Sequence, residues 1–130
     1  MYKIYLTDPD DEIRSELGEY ATLGQATEAM LGYAASKIRD ILEAHKSDKY
    51  LDDALEEIKS ETFLRVAETD ASGEINWDGD GELFVYQYDD DWGTLSFGKS
   101  DPYILYYLYT KGGIVKHKYS INSGRFEDKQ

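Results

Sequence analysis

The stretch Thr22–His45, TLGQATEAMLGYAASKIRDILEAH, constrains the fold more than any other part of the chain. Leu23, Ala26, Met30, Ala34, Ile38, Ile41 and Leu42 recur at spacings of three and four, which lines them along one side of a 3.6-residue helix. The rest of the chain must cover that stripe. Thr22 with Gln25 forms a T-x-x-Q capping box, in which each side chain can satisfy the other's free backbone N–H. Gly24 and Gly32 each cost a helix up to about 1 kcal/mol relative to alanine, so packing rather than propensity must hold this one.

A second, shorter helix is expected over Leu51, Ala54, Leu55 and Ile58, ending near Ser60, with Lys46, Ser47 and Asp48 supplying the break and the N-cap. Its outer side carries the like-charge pairs Asp52 with Glu56 and Asp53 with Glu57, which Lys49 and Lys59 partly offset. Around the helices the pattern is that of strands. Tyr2–Leu6 alternates, TDPDDE reads as a turn, and Glu12–Ala21 reads as a loop or short strand interrupted by Gly18. After Thr62 come TFLRVAE, the turn TDASG, the short strand EINW, the turn DGDG and the strand ELFVYQY. DDDWG turns the chain again and TLSFG follows. In DPYILYYLYT, Asp101 followed by Pro102 suits a helix start, whereas the tyrosines and isoleucine favour a strand. With KGG and IVKHKYSI coming next, a long hairpin is the favoured reading over a helix.

These elements predict an α+β domain: an antiparallel sheet of five to six strands with two helices packed on one face, in the order β-α-α-β-β-β-β-β. Residues 1–121 make a single domain, and 122–130 are expected as a polar, frayed end. The open sheet face should strand tyrosines, of which there are 12, and such a face offers a contact for a homodimer.

There is no cysteine, and Met1 leads into YKIYL without a basic leader or a long apolar run, so a cytoplasmic protein with no membrane contact is expected. His45 suits a helix C-terminus and His117 a surface strand; neither stands beside a nucleophile, and no catalytic motif is present. No enzyme activity and no cofactor is expected. In NWDGDGELFVYQ, Asn76, Asp78, Asp80 and Gly81 resemble a calcium loop of the EF-hand kind. Gln87 replaces the bidentate glutamate and the flanks read as strands, so an acidic β-turn is the expectation and no metal ligand is assigned.

The 27 acidic and 14 basic side chains give a net charge of −13, well beyond the magnitude of about 2 to 8 that keeps a small domain soluble. Glu68–Asp91 holds nine acids and no base, whereas Lys116, His117 and Lys118 lie on a basic strand expected to pair with neighbouring acids. Such a field repels nucleic acid and anionic membrane and attracts a basic protein. Laid along strands, the nine acids approach one charge per roughly 3 Å, within a factor of two of duplex DNA.

In size, charge and lack of catalytic residues the chain resembles nucleic-acid-mimic inhibitors such as small phage anti-restriction and anti-CRISPR proteins. That resemblance implies a non-enzymatic inhibitor occupying the nucleic-acid-binding surface of a nuclease or similar protein. The residues expected to meet the partner are Asp78, Asp80, Glu82, Tyr86, Tyr88, Asp89, Asp90, Asp91 and Trp92, the aromatic ones as desolvated anchors. Two alternatives stand beside it: an immunity protein or antitoxin for a basic toxin, and a small calcium-binding or ligand-binding domain.

Overall fold

The first helix begins where Thr22 directs it. In the computed structural model, which describes residues 1–8, 10, 12–89, 103–110 and 112–127 and gives only the backbone of 76–80 and 85–89, the Thr22 hydroxyl accepts the Gln25 backbone N–H at 3.1 Å. Helix α1 then runs over Leu23–Ala44 and buries Ala26, Met30, Ala34, Ile38 and Ile41. Leu23 and Leu42 are half-buried beside that row. Helix α2 spans Asp52–Glu61 and buries Ala54, Leu55 and Ile58. Its N-cap is the buried Leu51, which makes no side-chain capping bond. Asp48 is therefore not the cap expected of it; its carboxylate is taken by His45 instead. Asp52 and Asp53 fall in the first turn of α2, where the helix dipole offsets their repulsion from Glu56 and Glu57.

The strands are β1 (Tyr2–Thr7), β2 (Ile13–Tyr20), β3 (Leu64–Thr69), β4 (Ile75–Asp89), β5 (Tyr103–Thr110), β6 (Gly113–Ser120) and β7 (Arg125–Glu127). They form one seven-stranded sheet in the order β2-β1-β3-β4-β5-β6-β7, with every neighbour antiparallel. The class is the expected α+β, with more strands than expected. Ile13–Tyr20 pairs with β1 along its whole length because two irregularities in the ladder absorb its broken alternation. Arg125–Glu127, within the segment expected to fray, pairs with β6. DGDG does not end a strand: β4 continues through it. Between the pairs Glu68–Asn76 and Val66–Gly81, two steps on β3 face five on β4, so Trp77–Asp80 is a bulged excursion of the backbone. Tyr103–Thr110 is a strand paired with Gly113–Ser120, as the hairpin pattern predicts. The expected DDDWG turn and TLSFG strand lie largely outside the described residues.

Cross-strand register fixes the core. Leu6, Leu64, Leu83 and Leu108 stand opposite one another across four strands, and all four are buried in one cluster with the α1 and α2 stripes. In the next row Ile4 faces Val66, which faces Gly81. A Cβ on Gly81 would lie 3.3 Å from Leu108 Cδ1, so the leucine occupies the space that a side chain there would need. The two helices thus cover one face of the sheet. The chain from β2 to β3 passes over β1, and that crossover is the helical layer. Among the described residues no helix is long and apolar enough to cross a membrane.

Candidate partner-binding surface

The acidic block follows β3, the turn after it and β4. In the turn, Asp70 accepts the backbone N–H groups of Ser72 at 3.0 Å and Glu74 at 2.8 Å and the Ser72 hydroxyl at 2.9 Å. Those hydrogen bonds, with the Glu74 amide first, hold its carboxyl below the usual range. Asp70 is thus committed to its own turn. Glu68 and Glu74 are exposed beside it, and neither makes an ion pair among the described residues. The backbone places Asp78 and Asp80 in the adjoining bulge, at the same end of the sheet.

Glu82 breaks the run. It lies opposite Arg65, and the guanidinium meets its carboxylate at 2.8 Å. A partner would find this carboxylate neutralised. From Glu82, opposite Tyr109, to Asp89, opposite Tyr103, β5 advances six residues, about 20 Å at a strand's rise. Asp89 therefore marks the far end of the sheet. Tyr86 falls at the register shift between Val85 and Gln87, and Tyr88 lies opposite Ile104. Asp90, Asp91 and Trp92 lie outside the described residues. The six predicted contact residues that the structure describes are thus strung along β4 rather than gathered at one point.

A second set of acids lies on α2, where Asp52, Asp53, Glu56 and Glu57 are exposed. Glu57 is bound by His45, whose two ring nitrogens meet Glu57 at 2.8 Å and Asp48 at 2.9 Å. The three others make no ion pair among the described residues. Lys49, expected to offset them, sits 5.3 Å from the Tyr50 ring centroid.

The sheet face opposite the helices carries a row that the sequence did not single out. Phe63 stacks on Phe84 with ring centroids 4.8 Å apart, and Phe84 on Tyr109 at 5.2 Å. The signal was alternation in TFLRVAE and ELFVYQY, but only the register shows that these rings meet. Lys118 lies 4.2 Å from the Tyr103 ring centroid and Lys116 5.9 Å from that of Tyr107. The basic strand thus meets tyrosines of β5, and of the acids expected on a neighbouring strand Glu127 of β7 stands opposite Lys118. Tyr106 and Tyr119 instead point into the core and are fully buried. The tyrosines are divided between the two faces, and Ile114 and Val115 stand exposed at the end of the β5–β6 hairpin.

Among the described residues no group of three or more acidic or histidine side chains converges to hold a metal ion. The segment resembling a calcium loop is flanked and traversed by strand, not by helices. The chain matches no protein-family model, no curated protein and no solved structure.

Proposed function

We propose that this protein is a non-enzymatic inhibitor that binds a basic nucleic-acid-handling protein, such as a nuclease, and occupies its nucleic-acid-binding surface. The observation that carries this reading is the two-ended placement of acids along β4. Glu68, Glu74 and the Asp78–Asp80 bulge stand at one end and Asp89 at the other. Glu68 lies three residues along β3 from Arg65, which faces Glu82, and Asp89 lies six residues along β5 from the level of Glu82, so the ends are about 30 Å apart along the strands. That is about nine phosphate spacings of one DNA strand at ~3.4 Å each. An immunity protein calls for one compact acidic patch with aromatic anchors, and the spread along β4 favours the mimic. The pairing of Glu82 with Arg65 removes Glu82 from the contact set and leaves the two ends to act.

The test is to cross-link the protein in its natural host, purify the captured partner and titrate the complex by calorimetry at several salt concentrations. A DNA oligonucleotide should compete for the same surface, and affinity should fall steeply with salt. Reversing Asp78, Asp80, Asp89, Asp90 and Asp91 to lysine should abolish binding while the circular dichroism spectrum is retained. A partner that holds nucleic acid and this protein together, or binds the reversed variant equally well, refutes the proposal.

A further inference from the structure

His45 lies at the junction of three segments. It caps the C-terminus of α1, and its backbone N–H donates to the Ile41 and Leu42 carbonyls at 3.1 and 3.2 Å. Its ring bridges two carboxylates: Nδ1 to Asp48 Oδ2 at 2.9 Å in the connecting segment, and Nε2 to Glu57 Oε1 at 2.8 Å on α2. A neutral imidazole has one N–H and can donate only once. A ring held between two carboxylates makes both bonds only as the imidazolium, which the carbonyl end of α1 also favours.

We propose that His45 is a pH-dependent latch: protonated, it fastens α2 to the end of α1, and on losing its proton it releases one carboxylate and loosens the start of α2. Helix α2 is suited to respond. It has ten residues, short of the 12 to 15 or so that a helix needs to be even marginally stable alone, and no side chain caps its N-terminus. Its buried Ala54, Leu55 and Ile58 keep it docked, so the change is a local opening.

The other charges near the ring do not replace the latch. Glu43 and Lys46 neutralise each other at 2.7 Å. Lys49 is engaged with Tyr50, and Asp53, one turn before Glu57 on α2, adds negative charge. The hydrogen bonds to Asp48, and then to Glu57, raise the His45 pKa above its ordinary value. A raised folded-state pKa makes the contribution complete below about 6.5 and lost as pH rises through the folded value.

The experiment is an NMR titration of the His45 ring, with amide exchange of α2 corrected for intrinsic rate, from about pH 5 to 9. The midpoint should lie above about 6.5 and fall in both Asp48→Asn and Glu57→Gln. Protection of α2 should drop with rising pH by about tenfold for each unit that the midpoint exceeds 6.5. In His45→Gln that pH dependence should vanish. A midpoint at or below the ordinary value, or an α2 profile unchanged in His45→Gln, overturns the latch.

Discussion

Two buried tyrosines make opposite predictions from one difference in their surroundings. The Tyr106 hydroxyl lies 3.3 Å from Thr62 Oγ1, whereas the buried Tyr119 hydroxyl has no hydrogen-bond partner among the described residues. Removing a paired hydroxyl loses a bond worth about 0.5 to 1.5 kcal/mol, whereas removing an unpaired one relieves a desolvation cost of about 1 to 3 kcal/mol. Urea denaturation should therefore find Tyr106→Phe less stable than the parent and Tyr119→Phe as stable or more so. Gly32 offers a parallel test: a Cβ there would meet nothing within 4 Å, and the site is exposed in the middle of α1. Gly32→Ala should stabilise the protein by roughly 0.5 to 1 kcal/mol. An unchanged or lower denaturation midpoint would contradict the view that this glycine only weakens its helix.

Elements were legible in the sequence to the degree that their signals were local. The α1 stripe and the Thr22 cap depend on neighbours within one or two turns, and the stripe stands as the spacing predicts. The capping box stands in its Thr22 half, the hydroxyl accepting the Gln25 backbone N–H without a return bond from the Gln25 side chain among the described residues. Strand β4 could not be read in the same way. DGDG has the composition of a turn, yet β3 pairs with the chain on both sides of it and carries the ladder past it as a bulge. Strand β2 was obscured by Gly18 and β7 by its polar composition, because the partner strand decides both. The same limit applied to the site. Counting charges revealed the acidic block, but only register could show that Arg65 neutralises Glu82 and that Asp70 serves its turn. Asp70→Ala should therefore speed amide exchange at Ser72 and Glu74, which donate to its carboxylate. Because the folded-state carboxyl is held low, its contribution is present above about pH 3.8 and lost as pH falls through the lowered value. Exchange rates unchanged by the substitution would return Asp70 to the pool of free surface acids.

For the whole molecule, a net charge of −13 on 130 residues means that the folded state repels itself. Raising sodium chloride from about 10 to 150 mM shortens the screening length from about 30 to 8 Å, and the melting temperature should rise with it. A melting temperature that falls would mean that favourable pairs such as Arg65–Glu82 outweigh the repulsion. The crossover from β2 to β3 has a further consequence, in time rather than in space. Every other neighbouring pair in the sheet is consecutive in the chain, but β1 meets β3 only after the whole helical layer intervenes. Closing that seam carries the largest loop entropy in the described topology, so the consecutive hairpins can zip first and the seam should join last. Ile4→Ala, on the β1 side of the seam, should accordingly quicken unfolding and leave the refolding rate almost untouched.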